Sequence, residues 1–175
     1  MNLQGKRVLV FGTGKSGIGA ADLLEETGAH VILFDGNEKT DKDAVLTKVS
    51  HAEDASVYAG ELPKEVLESL DLVILSPGVP TDIPIVKKFY EMGLPVWGEV
   101  ELAYRTSKGR VLAITGTNGK TTTTALLGKI MSDAEDSVFV VGNIGTPYTS
   151  KALEMKENST TVAEISSFQL ETIEE

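Results

Sequence analysis

The stretch "RVLVFGTGKSGIGAADLLEETGAHVILFD", residues 7–35, changes period twice. It opens with an apolar run ("RVLVFG", 7–12), passes through a glycine turn into a helical pattern ("SGIGAADLLEETG"), and returns to an apolar run ("HVILFD", 30–35). Apolar runs without alternation, separated by enough chain for a crossover helix, predict parallel strands buried on both faces. Six further runs continue the pattern: "ASVYAG" (55–60), "DLVILS" (71–76), "LPVWG" (94–98), "RVLAIT" (110–115), "SVFVVG" (137–142) and "TTVAEIS" (160–166). The expectation is an α/β protein built on doubly wound parallel sheets.

Within the opening stretch Gly12, Gly14 and Gly17 form G-x-G-x-x-G between strand and helix. Glycine suits this place because the chain turns sharply, its backbone approaches the ligand and the helix packs closely on the strand. The helix N-terminus then offers N–H groups and partial positive charge to a phosphate. Asp35 follows Gly17 by about 18 residues, near the spacing of an acidic group that grips a ribose. Three readings stand at this point: a dinucleotide site, another phosphorylated nucleotide on the same fold, or a tight turn without a ligand.

A second cradle follows about a hundred residues later. "RVLAITGTNGKTTTTALLGKIM" (110–131) has the strand, loop and helix order of a P-loop, although Ile114 stands where the strict G-x-x-x-x-G-K-[ST] pattern has glycine. The chemistry survives that departure. Lys120 supplies an ammonium for β and γ phosphates, the Thr121 hydroxyl suits Mg²⁺, and backbone N–H groups from Gly116, Thr117, Asn118, Gly119, Lys120, Thr121 and Thr122 suit phosphate oxygens. ATP is the expected ligand. Glu164, at the tail of the last apolar run, reads as the Mg²⁺ carboxylate or as a salt-bridged strand end. Asn143 in "VVGNIGTP" (140–147) reads as a turn residue tolerating positive φ or as an amide offered to a substrate.

At 175 residues the chain exceeds one typical domain of roughly 150 residues and falls short of two. The stretch "GEVELAYRTSKGR" (98–110) is where one sheet would give way to another. The division expected is 1–97, a Rossmann-like doubly wound parallel sheet, and 98–175, a truncated P-loop ATPase α/β domain too small to complete a nucleotide-binding sheet. The last residues, "FQLETIEE", follow the final strand directly and read as uncapped, so the chain is expected to be a fragment of a longer protein.

With 41% hydrophobic and 24% charged residues a core can form. The absence of cysteine excludes disulfides, thiolate metal sites and thiol nucleophiles. A net charge of −10 argues against nucleic-acid and anionic-membrane partners. No apolar run nears the ~20 residues of a membrane span and no leader precedes residue 7, so a cytoplasmic protein is expected. Asp133, Glu135 and Asp136 read as a solvated face. Neither His30, at a strand start, nor His51, in a polar loop, has a catalytic partner pattern around it.

Taken with its neighbours, "ITGTNGKTT" resembles the ATP loop of the Mur ligases and folylpolyglutamate synthetases. "GTGKSG", "LSPGVP" (75–80), "WGEVEL" (97–102), "GNIGTP" (142–147) and "EISSFQLE" (164–171) are similar to the MurD type within that family. The resemblance implies an ATP-dependent, amide-forming ligase of peptidoglycan synthesis; a monomer with no nucleic-acid or membrane partner is expected. Its substrates would be UDP-N-acetylmuramoyl-L-alanine and D-glutamate, joined through an acyl phosphate. By the same resemblance Gly14, Lys15, Ser16 and Gly17 would meet the diphosphate, and Asp35, Gly36 and Asn37 the uridine. Ser76, Pro77 and Gly78 would line the cleft and Asn143 would touch the muramoyl-alanine. Lys120, Asn143 and Glu164 would serve catalysis, with Thr121 and Glu164 on Mg²⁺. Asn37 stands where the family commonly has a basic residue against the uracil, and "SDAEDSVF" lacks a glycine often found before that strand. The family's later histidine, carboxylated lysine and D-glutamate domain would lie beyond Glu175, so residues 1–175 alone are not expected to complete the reaction.

Overall fold

The structure, a computed structural model, describes residues 2–50, 55–143 and 145–174. Among the described residues eight strands form, one inside each apolar run. Their order is β1 (Arg7–Phe11), α1 (Lys15–Glu26), β2 (His30–Asp35), α2 (Lys42–Leu46), β3 (Ser56–Ala59), α3 (Lys64–Glu68), β4 (Leu72–Leu75), α4 (Pro84–Glu91) and β5 (Val96–Gly98). The chain continues through α5 (Glu99–Thr106), β6 (Arg110–Ile114), α6 (Lys120–Ala134), β7 (Val138–Gly142), a 3-10 turn (Ala152–Glu154), β8 (Thr160–Glu164) and α7 (Ser167–Leu170).

The first sheet has the order β3-β2-β1-β4-β5 and every pairing in it is parallel. Its strands are apolar on both faces because both faces are covered. Val8 and Val10 of β1 join Val31, Leu33, Leu72 and Ile74 beneath Ala20, Ala21 and Leu24 of α1. Leu9 and Phe11 point the other way, with Ile32, Phe34, Val73 and Leu75, into a layer closed by Val66, Leu67, Val86 and Phe89. The strand order reverses between β1 and β4, so the loops after these two strands border the crevice where open α/β sheets bind ligands.

The second sheet is β6-β8-β7, again parallel. All five residues of β8 are buried, whereas β6 and β7 each have residues exposed to solvent. Leu126 and Ile130 on α6 are 61% and 53% exposed, so the outer side of this helix is apolar and open. The buried layer under α1 runs on through Val100, Leu102 and Ala103 of α5 to Val141, Ala163 and Ile165, joining the two sheets by one continuous apolar core.

The segment after β8 differs from its sequence reading. Rather than ending uncapped, it forms α7, started by a capping box in which Ser166 accepts from the Gln169 N–H and the Gln169 side chain accepts from the Ser166 N–H. The signal was present as Ser-x-x-Gln. The segment after α7 docks on β5 and α5: the Gly98 N–H reaches the Thr172 carbonyl at 3.3 Å, and Arg105 bridges buried Glu101 at 2.6 Å and Glu174 at 3.3 Å. The Arg105 guanidinium also lies 4.6 Å from the Trp97 ring centre.

Candidate functional site: two phosphate cradles and the passage between them

The first cradle is β1, its glycine turn and α1. Gly12 adopts φ +105, a conformation glycine takes at little cost, and lets the chain turn against Ser76. A Cβ on Gly17 would lie 1.8 Å from the Gly12 carbonyl oxygen, so the helix closes on the turn only with glycine there. Around Gly14 the space is open. Gly14 is the N-cap of α1, and its carbonyl accepts the first helical bond, from Ile18 at 3.0 Å. The N–H groups of Lys15, Ser16 and Gly17 therefore have no partner within the helix and suit an anion.

The second cradle repeats the design. Gly119, with φ +77, is the N-cap of α6 and accepts the first helical bond from Thr123 at 2.9 Å. The N–H groups of Lys120, Thr121 and Thr122 are left facing outward. Lys120 Nζ donates to the Gly116 carbonyl at 2.7 Å, which arches the ammonium over the loop. A cavity of about 330 Å³ is lined by Thr117, Asn118, Gly119, Lys120, Thr121 and Thr122, together with Asn143 and Glu164.

Sheet register brings the last two residues there. Glu164 pairs with Ile114 on one side and Gly142 on the other, so three strand ends carrying the P-loop, Glu164 and Asn143 share one edge. The Asn143 N–H donates to the Glu164 carbonyl at 2.9 Å. Asn143 does not take positive φ; Gly142 (φ +130) and Gly145 (φ +85) make that turn, which corrects the reason for reading Asn143 as a turn residue. Glu164 is 2% exposed and its Oε1 is buried with no hydrogen-bond partner among the described residues. It forms no ion pair among them either, so the salt-bridged reading of this strand end fails. An unpartnered buried carboxylate facing a row of N–H donors, a hydroxyl and an ammonium is a donor set that fits a hard cation beside phosphates.

The two cradles communicate. A cavity of about 130 Å³ is lined by Lys15 and Ser16 from the first and by Gly142 and Asn143 from the second, over Glu99 and Gln169. It shares Asn143 with the P-loop cavity and shares Pro77, Glu99 and Gln169 with a larger cavity of about 540 Å³ that includes Ser76, Gly78 and Phe168. Pro77 lines the cavity that holds Lys15 and Ser16, while Ser76 and Gly78 line the larger one beside it.

Asp35, Gly36 and Asn37 form the turn after β2, beside the first cradle. Asp35 is a brace for that cradle: Oδ2 accepts from Thr13 Oγ1 at 2.6 Å and Oδ1 from the Asn37 N–H at 3.0 Å. Partial burial opposes its ionisation, but these bonds and one from Thr40 outweigh it and hold the carboxyl below its ordinary value. Gly36 and Asn37 are exposed. His30 is exposed at the start of β2, as read, and His51 lies outside the described residues. Glu135 departs from the solvated reading, since it joins Arg110 and Thr160.

Sequence reading missed Glu99 and Gln169. Glu99 begins α5 and is 6% exposed; Gln169 Nε2 donates to its Oε1 at 2.7 Å. Burial raises the Glu99 pKa and the Gln169 bond opposes the rise.

Fold and site together define a two-sheet α/β protein in which a pair of glycine loops aims helix N-termini at a common passage. Residues 6–98 match the Mur ligase MurD-like N-terminal domain and residues 114–175 the Mur ligase middle domain. The chain belongs to the Mur ligase family. It is 55% identical over 175 residues to a protein of Lachnospira eligens, and 53% identical over 174 residues to one of Lachnoclostridium phytofermentans. Both relatives are named UDP-N-acetylmuramoylalanine--D-glutamate ligase. All of this chain is covered in the first comparison and 99% in the second, yet it spans only 39% and 38% of those relatives' lengths. Among solved structures, UDP-N-acetylmuramate:L-alanyl-gamma-D-glutamyl-meso-diaminopimelate ligase from Neisseria meningitides superposes with a TM-score of 0.56 at 20% identity. That match covers 91% of this chain and 52% of the other, and bears on the fold.

Proposed function

We propose that this chain is the part of an ATP-dependent ligase that holds UDP-N-acetylmuramoyl-L-alanine and the triphosphate of ATP, for addition of D-glutamate in peptidoglycan synthesis in the cytoplasm. In this reading residues 1–97 bind the UDP-substrate and residues 98–175 begin the ATP-binding unit. The observation that carries it is the cavity shared by Lys15 and Ser16 of one cradle and Asn143 beside the other. A ligand with its diphosphate at the first cradle would extend along this passage toward the second.

The chemistry follows from charge. A carboxylate is a poor acyl donor because its leaving group would be oxide, so its oxygen first attacks the γ-phosphorus of ATP and ADP departs. The amine of D-glutamate then attacks the acyl phosphate; the tetrahedral intermediate loses phosphate and a proton to leave the amide. Two anions must meet in the first step. Lys120 and the N–H groups of the α6 N-terminus offset that charge, and the Asn143 amide orients the acyl end. Thr121 and Glu164 would hold Mg²⁺, which neutralises phosphate charge when bound.

The test is phosphate release by the full-length protein carrying this chain. Release should require ATP, UDP-N-acetylmuramoyl-L-alanine and D-glutamate together; dependence on a different amino acid as acceptor would overturn the assignment.

A further inference from the structure

Two glutamates of α5 are buried, and they are treated differently. Glu101, 0% exposed, is neutralised by Arg105 and accepts the Glu174 N–H at 3.1 Å. Glu99, 6% exposed, has no ion pair within 4 Å among the described residues. Its side-chain donor is Gln169, on Oε1. The Glu99 N–H adds a backbone bond, yet with no cation beside it a carboxylate kept out of water still costs stability.

The placement explains what the cost could serve. Glu99 lines both the narrow cavity between the cradles and the larger one next to it. Its orientation is fixed from α7. Gln169 Oε1 accepts the Ser166 N–H at 2.8 Å, which turns Nε2 toward Glu99. With Oε1 engaged by Gln169, Oε2 retains acceptor capacity at the cavity wall. An anion would be repelled by this carboxyl, so the diphosphate belongs at Lys15 and Ser16 and the group facing Glu99 must be a hydrogen-bond donor.

We propose that Glu99 is a specificity-determining residue that accepts a hydrogen bond from an O–H or N–H of the sugar-peptide portion of the acyl substrate, and that Gln169 is its positioning residue. The inference rests on the ligase reading above and adds a contact to it. It makes Glu99 a discriminator between the complete substrate and its nucleotide end.

The experiment measures binding by calorimetry to the full-length protein, with UDP-N-acetylmuramoyl-L-alanine and UDP as separate probes, for the native chain, Glu99→Gln, Glu99→Asp and Gln169→Ala. Loss of a charge-assisted hydrogen bond should weaken the complete substrate about tenfold or more in Glu99→Gln. UDP affinity and the KM for ATP should stay within about twofold, and Glu99→Asp should recover part of the loss. Gln169→Ala should show the same selective loss in smaller measure. Unchanged substrate affinity in a folded Glu99→Gln protein, or equal weakening of substrate and UDP, overturns the proposal while leaving the ligase reading intact. Failure of the native protein to bind the complete substrate overturns both.

Discussion

The Asn143 N–H donates to the main-chain carbonyl of Glu164 at 2.9 Å, while the side chain of the same glutamate has a buried oxygen with no partner among the described residues. One residue thus anchors the neighbouring motif through its backbone and leaves its carboxylate for something else. Replacing it separates the two roles. In Glu164→Gln the backbone bond survives and a buried charge disappears, so thermal stability should hold or rise while phosphate release falls at least about a hundredfold. A thermal melt beside an activity assay checks this; activity retained within tenfold would remove Glu164 from the cation site.

Lys120→Ala should abolish ATP use and leave the affinity for the UDP-substrate within about twofold. The two cradles belong to different sheets, and Lys120 lines the P-loop cavity while Lys15 and Ser16 line the neighbouring one. Calorimetry with each ligand separates the outcomes. Equal loss of both would show that the cradles are not independent.

Gly142→Ala tests the edge where three strand ends meet. A methyl there would lie 2.1 Å from the Glu164 carbonyl oxygen, on a residue with φ +130. Neither the flanking strand nor the backbone angle can yield without shifting Asn143. We expect a loss of about 2 kcal/mol or more, in line with large single-site effects from strain and overpacking, measured by urea denaturation.

Arg105→Ala should destabilise the protein by about 3 kcal/mol, because it takes the cation from the buried Glu101 carboxylate. It also removes the guanidinium from the Trp97 ring. Trp97 is the chain's one tryptophan, so its fluorescence reports the change directly. A change below about 0.5 kcal/mol would show the bridge to be dispensable.

Acid should act on Asp35 and Glu99 in opposite senses. The Asp35 pKa is lowered in the folded chain, so its stabilising contribution is present above the unfolded carboxylate pKa and is lost as pH falls through the folded value. The Glu99 pKa is raised, so its burial weighs against folding at neutral pH and that penalty is relieved on protonation. Asp35→Asn should therefore flatten the acid limb of a stability–pH curve, and Glu99→Gln should remove a gain on mild acidification. Denaturant midpoints across pH 3–8 provide the measurement.

Much of this was legible in the sequence for a local reason. A strand buried on both faces is written as a continuous apolar run, so Val8 to Phe11 and Leu72 to Leu75 could be read one run at a time. The glycine loops were legible in the same way, since turn, close approach and helix start lie within a few residues of each other. The bond between Glu99 and Gln169 spans 70 positions; the motifs that contain them were legible, but nothing local in either shows that the two residues meet. Asp35 was visible as an acid at the right distance, but its donors Thr13, Asn37 and Thr40 decide that it braces the turn. Asn143 was ambiguous because the neighbouring glycines, which take the positive φ, were equally able to make the turn.

The order β6-β8-β7 has a consequence for biogenesis. The central strand of the second sheet is the last of the three to leave the ribosome, and among the described residues β6 and β7 meet only through it. While residues 160–164 remain in the exit tunnel, the P-loop strand lacks this hydrogen-bonded neighbour, so the nascent sheet closes only when the strand bearing Glu164 emerges.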